Sequence, residues 1–285
     1  MSTITASDIF SVLRRGFRDI YFLVSGFDYR HKEKKKIICY PRRPFNPLYM
    51  MSKIRWGSPV KFTSSPQEAD LEIFFDDNTN SHFSKIPFSK NRKSINKNCN
   101  NISKSYVDDV FRKVFGYSLT VNPLENNDLI LEKSEENAKH DGKIIQSPIL
   151  SDFLDKSKVY QKVINNIYND FAIDYRVVWI KDDIALTYVK YALKINRFKS
   201  KTVYSKVVPV KKLFSNQEIN LIKKFCKNFK LDFGELDILR DRYTKKIYIV
   251  DVNKTAWGPP DKIVLKDGKK AIQLINKKFQ QSYLN

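Results

Sequence analysis

Two short apolar runs that alternate with acids constrain this chain more than any other feature. Glu235–Leu239 and Ile247–Asn253 flank a charged link centred on Tyr243 and Thr244. Apolar and β-branched residues at a period of two read as strands, and a short polar link between them reads as a hairpin. Alternation places Ile249, Asp251 and Asn253 on one face, with Tyr248, Val250 and Val252 on the other. A turn at Tyr243 and Thr244 sets Asp237 opposite Asp251, so Asp237, Asp251 and Asn253 converge. Apolar residues occupy both faces, which predicts a covered sheet, and a carboxylate in a covered sheet needs a partner. Magnesium takes a few hard oxygen ligands and leaves its other positions to water and phosphate. The competing reading is a solvated hairpin with ordinary surface acids.

Upstream, the pattern predicts a small α/β lobe. A helix is expected over 6–24, where Ile9, Phe10, Val12, Leu13, Phe17 and Ile20 recur at helical spacing. Strands are expected at Lys36–Tyr40, Val60–Phe62 and Ala69–Phe75, with a loop and short helix over Pro44–Arg55. Strand, helix, strand in that order implies a partly parallel sheet. The polar stretch 76–101 is expected to be a long surface connection. Ser103 caps a helix that runs to Phe115 and stops at Gly116. Beyond it the chain changes to short strands, broken by a helix over Ser215–Lys230 with Glu218 three residues after the cap. A last helix is expected near Gly268–Tyr283.

Further segments carry charge suited to phosphate. Lys133 sits on the strand Leu129–Ser134, which leads through a polar loop holding His140 and Gly142 into the strand Gly142–Gln146. A lysine is a point charge for phosphate, and loop amides can fold over it. Val159–Ile164 is another strand. Arg176 and Lys190 fall on adjacent strands of a hairpin turned by Lys181-Asp-Asp183, and Arg197 follows in a loop. Converging cations neutralise phosphates or an acyl-phosphate oxyanion. A plain hairpin and a solvated basic face remain the competing readings of these two segments.

Taken in order, these segments resemble the ATP-grasp superfamily, which includes glutathione synthetase, D-alanine–D-alanine ligase and the ribosomal-protein glutamate ligases. The similarity spans roughly 129–260. It rests on a lysine strand with a loop, a hinge strand, an Asp-x-Arg hairpin, and Asp on one strand with Asp-x-Asn on the next. The resemblance implies an α/β (α+β) ATP-grasp fold with an N-terminal pre-ATP-grasp lobe over 1–102. The ATP-grasp domain would cover 103–285, in two parts at 103–165 and 166–285. It implies that Lys133, His140, Gly142, Tyr160, Gln161, Lys162, Val163, Leu239 and Ile249 hold ATP. Arg176, Lys190 and Arg197 would surround the transferred phosphoryl group, and Asp237, Asp251 and Asn253 would bind Mg2+ or Mn2+. The implied activity is ligation of a small-molecule or peptide carboxylate to an amine, or less often a thiol, through an acyl phosphate. Four departures stand out. Asp251 replaces the common Glu, and Ala256 stands where a proline often follows. The loop's one glycine is Gly142, and Tyr191 replaces a second cation.

Composition sets the rival readings. Lys and Arg number 52 against 31 Asp and Glu, a net charge of +21. Such a balance raises nucleic acid as a partner. The charges scatter along a chain also rich in Asn and Ile, as AT-rich coding produces, and no zinc-finger or RNP motif accompanies them, so no specific nucleic acid is expected. A phosphotransferase on the same fold is the closer alternative. Three cysteines at Cys39, Cys99 and Cys226 share no short spacing, which points to reduced thiols and a cytoplasmic setting. No stretch reaches spanning length, so no membrane span is expected. The resemblance leaves room for a homodimer.

Overall fold

Alternating burial along single strands shows how the molecule is layered. The computed structural model describes residues 16–18, 21, 33–81, 86–137, 139, 141–198, 201–260 and 262–285. The helix expected over 6–24 therefore lies mostly outside the described residues, as does His140.

A first sheet is parallel, in the order β2-β1-β3-β4. Its strands are β1 (Lys35–Pro41), β2 (Val60–Phe62), β3 (Leu71–Phe75) and β4 (Lys93–Ile95), with helix α1 (Met50–Gly57) between the first two. The strand β4 corrects the expectation of a surface connection over 76–101. Its register against β3 pairs Ile73 with Ile95. Glu72, fully buried on β3, anchors the returning segment by accepting from Ser89 N, Arg92 Nη1 and Ser94 Oγ. A buried carboxylate needs such partners, and they lie about twenty residues away in polar sequence that carries no strand period.

Helix α2 (Lys104–Phe115) begins at the expected Ser103 cap and ends at Gly116, which adopts φ 79°. A three-stranded antiparallel sheet follows, in the order β6-β5-β7, from β5 (Leu129–Ser134), β6 (Lys143–Gln146) and β7 (Lys158–Lys162). The third sheet runs β11-β10-β9-β12-β13, with β8 (Ile167–Tyr168) paired to β9. It comprises β9 (Phe171–Ile180), β10 (Asp183–Leu193), β11 (Thr202–Val208), β12 (Phe233–Arg240) and β13 (Ile247–Asn253). Helix α3 (Asn216–Phe229) precedes β12 and carries the predicted capping box of Ser215 and Glu218. Helix α4 (Leu265–Phe279) ends in a π-helical turn, Gln280–Leu284.

Helices cover both faces of the third sheet. Val177 and Trp179 of β9 pack with α2 and α3, together with Leu236, Ile238 and Val252. Val178 and Ile180 point the other way, into a core shared with Leu186, Tyr188, helices α1 and α4, and Ile37, Leu71 and Ile73 of the parallel sheet. That second core draws on residues from both sides of position 102. Covering stops partway along the strands. Farther along the same face, β9 presents Asp174 and Arg176, β10 presents Lys190 and Ala192, and β12 presents Glu235, Asp237 and Leu239 to an open cleft. Among the described residues no helix is long and apolar enough to cross a membrane.

Candidate functional site

The cleft between the β5–β7 sheet and the exposed half of the third sheet has a volume of about 660 Å³. That is the size of a site for a nucleotide-sized ligand. One wall carries Leu131 and Lys133 of β5, Gly142, and Gln161, Lys162, Val163 and Ile164 at the end of β7. Opposite stand Arg176, Lys190, Asp237, Leu239, Val250, Asp251 and Asn253, with Arg197 at the rim.

Pairing brings the acids together. Asp237 faces Asp251 directly across β12 and β13, and Arg176 sits beside Asp237 on β9. Arg176 donates from Nε and Nη2 to the two Asp237 oxygens, each at 2.8 Å, and Lys190 Nζ lies 3.3 Å from both. Burial works to raise the Asp237 pKa, but Arg176 and Lys190 outweigh it and hold the carboxyl below its usual range. Among the described residues Asp251 makes no ion pair, and Val252 N donates to its Oδ1 at 3.1 Å. Burial first, and Asp237 second, push its carboxyl up to about 6. Across the cleft, burial pushes the Lys133 ammonium down to about 8, against the pull of Asp251. Lys104 is lowered by burial as well, with Asp251 again the leading opposing charge.

These features fit a divalent cation and phosphates. Two carboxylates and an amide are hard donors, and magnesium is commonly held by one or two carboxylates plus substrate phosphates. Among the described residues no group of three or more His, Cys, Asp or Glu side chains is placed to hold a metal without such help. Two desolvated ammonium groups are stabilised by an anion between them. Asn253 is less available than its position implies, since its Oδ1 accepts from Thr255 N at 2.9 Å and Thr255 Oγ1 at 3.1 Å.

No family model matches this sequence, and no curated protein sequence does. Solved structures do match in shape. D-alanine–D-alanine ligase from Bacillus anthracis, complexed with ATP, superposes with a TM-score of 0.57 at 10% identity, covering 88% of this chain and 97% of that one. The ATP-grasp ligase PsnB, complexed with a phosphomimetic precursor variant, Mg and ADP, reaches 0.53 at 10% identity over 88% and 99%. A RiPP-associated ATP-grasp ligase from Chryseobacterium gregarium, with ADP and leader and core peptides, reaches 0.51 at 10% identity over 88% and 96%. The chain has an ATP-grasp fold.

Within the ATP-grasp cleft the structure gathers Lys133, Gly142, Gln161, Lys162, Val163, Arg176, Lys190, Arg197, Asp237, Leu239, Asp251 and Asn253. Two expected residues stand elsewhere. Ile249 is 1% exposed in the core under α2 and α3, because the β12–β13 register shifts between Asp237 and Ile238. The extra residue, Val250, takes its place in the cleft. A bulge breaks the strict period of two on which the placement of Ile249 relies. Tyr160 pairs with Glu132 on the side of β7 away from Gln161, and its hydroxyl accepts from Asp155 N at 3.1 Å.

Other lining residues are not among the expected site residues. Asp174, the acid of the Asp-x-Arg motif, and Glu235 each lie two residues before a residue expected in the cleft, so alternation alone brings them to the same face. Glu235 is 1% exposed; among the described residues its oxygens accept no hydrogen bond, and Arg176 Nη1 lies 3.6 Å from Oε2. Lys104 follows the Ser103 cap and occupies a first helical turn that holds no acid. A cation there opposes the helix dipole, and that local misfit is the one signal of its role.

Proposed function

We propose that this chain is an ATP- and Mg-dependent ligase that activates a carboxylate as an acyl phosphate for attack by an amine. The observation that carries the reading is the meeting of Lys104 and Lys133 with Asp237 and Asp251 across one cleft. In this reading the two lysines receive nucleotide phosphates. The end of β7, from Gln161 to Ile164, borders the base, and Leu131, Leu239 and Val250 supply apolar walls for it. Asp237 and Asp251, with Asn253 where Thr255 releases its oxygen, hold the magnesium ion. The ion supplies charge neutralisation on the phosphates.

Arg176, Lys190 and Arg197 neutralise the transferring phosphoryl group by position and charge alone. A carboxylate oxygen bonds to the γ-phosphorus while the bond to the β–γ bridging oxygen breaks, releasing ADP. The amine nitrogen then bonds to the acyl carbon, the carbon–oxygen bond to phosphate breaks, and phosphate leaves as the amine loses a proton to solvent. Nucleotides in the D-alanine–D-alanine ligase and PsnB structures support this reading, and the precursor peptides in the latter extend it to peptide substrates.

Thermal unfolding with and without Mg-ATP tests it. At a hundredfold excess over Kd, binding adds about 2.7 kcal/mol, which corresponds to a Tm rise of roughly 5–10 °C at roughly 2–4 °C per kcal/mol. Asp251→Ala should lose that rise. No shift in the wild type removes the nucleotide reading. ADP release that requires an amine supports ligation, whereas a stable phosphorylated product replaces it with phosphotransfer.

A further inference from the structure

A second cavity, of about 230 Å³, opens where β1 and β3 end in the parallel sheet. Ligands in open α/β sheets gather at the carboxyl ends of parallel strands. The volume is below the roughly 300–1,000 Å³ of sites for drug-sized ligands and suits a single residue-sized molecule. Arg42 and Arg43, which directly follow β1, line it together with Asp77, two residues after β3. None of the three makes an ion pair or a side-chain hydrogen bond among the described residues. Opposite charges that share one small cavity without touching are placed to be bridged.

The remaining wall is aromatic. Phe45 is 73% exposed, and Arg43 lies 5.8 Å from its ring centre. Tyr49 meets Phe75 edge-on at 5.0 Å. Burial raises the Tyr49 hydroxyl pKa, with Asp77 adding to the shift and Arg42 opposing it, so both charges act on one ring. Two guanidinium groups, one carboxylate and an aromatic wall are complementary to a carboxylate, an ammonium and an apolar body carried by one molecule.

This cavity adjoins the ATP-grasp cleft. Thr255 lines the cavity, and both its backbone N and its Oγ1 donate to Asn253, which lines the cleft. Trp257, on the cleft side, meets Tyr49, on the cavity side, with ring centres 5.0 Å apart and the planes tilted by 56°. A single turn of chain, 253–257, separates the two spaces.

We propose that the Arg42–Arg43–Asp77 cavity binds a zwitterionic amino acid with an apolar or aromatic side chain, its carboxylate on the arginines and its ammonium on Asp77. Its role as the site of the second substrate rests on the ligase reading; the binding itself does not.

Titration calorimetry of the full chain tests this with L- and D-phenylalanine, L-leucine, 3-phenylpropanoate and 2-phenylethylamine. An amino acid is expected to bind, and the two singly charged probes to bind at least about tenfold more weakly. Arg42→Gln with Arg43→Gln should weaken the amino acid at least about tenfold and leave 2-phenylethylamine unaffected, and Asp77→Asn should spare 3-phenylpropanoate instead. Absence of binding by every amino acid at millimolar concentration, with or without Mg-ATP, overturns the assignment. So does binding that is indifferent to all three substitutions. A Mg-ATP titration of the same samples reads the cleft separately. Amino-acid binding without Mg-ATP binding leaves the cavity and removes the ligase, and the reverse result removes the cavity alone. Retained Mg-ATP binding in the variants shows that they are folded.

Discussion

Asp251 stands in an environment far from the one a carboxylate meets in water. Its carboxyl holds a proton up to about pH 6 in the fold, against 3.8 in an ordinary setting. Between those values the folded state binds more protons than the unfolded state, so stability falls as pH rises. Metal-free wild-type protein should therefore lose Tm from pH 4 to pH 6 relative to Asp251→Asn, with the gap constant above pH 6. Thermal unfolding of both proteins in chelator measures it, and parallel curves across that window would show that Asp251 titrates normally. Mg2+ should erase most of the gap at pH 7, because a cation replaces the missing partner. Asp237 needs no such help, being held by Arg176 and Lys190.

Among elements, the β12–β13 hairpin is where small changes should matter most. Gly234 lies so close to β13 that a Cβ there would meet the Asn253 carbonyl oxygen at 2.6 Å. That oxygen belongs to backbone and cannot turn aside. Gly234→Ala is expected to cost about 1–3 kcal/mol, the range for overpacking, and to weaken Mg-ATP stabilisation further by moving Asn253. Gly142→Ala is the contrast, since its Cβ would meet the end of the Leu131 side chain at 3.2 Å. Denaturant unfolding should show the second variant within about 0.5 kcal/mol of wild type. Equal losses would contradict the close approach at Gly234. The hairpin also marks a boundary of legibility. Its two strands, its turn and the pairing of Asp237 with Asp251 follow from alternation, whereas the bulge at Val250 leaves no trace in residue type. Strand β4 is hidden because its residues, Lys93-Ser94-Ile95, offer one apolar side chain within a long polar stretch.

Across the whole molecule, Asn96 joins the parallel sheet to the cleft-bearing one. It is fully buried with φ 58°. Its Oδ1 accepts from Asp232 N at 2.8 Å and Phe233 N at 2.9 Å, and its Nδ2 donates to Phe233 O at 2.7 Å. Asn96→Ala strands several buried backbone groups, each costing about 1–3 kcal/mol, so a total near 3–5 kcal/mol is expected. Equilibrium unfolding checks it. A loss under about 1 kcal/mol would mean that Asn96 does not hold the two sheets together. Lys254 adds a second tie, fully buried with Nζ donating to Ser81 Oγ at 2.8 Å.

Caps, strand periods, the order of elements and the acidic hairpin are carried by residues near one another in the chain. The amino-acid sequence by itself therefore determines them, and with them the resemblance of their ordered pattern to the ATP-grasp fold. Which side chains meet across the cleft is another matter. The approach of Lys104 and Lys133 to Asp251, the closing of Arg176 on Asp237, and the cavity between Arg42, Arg43 and Asp77 all join positions distant in sequence. Their meeting depends on sheet register and on how far the covering helices extend along each strand. Those are properties of packing, set by the summed burial of a shared core, and no local run of residues encodes them.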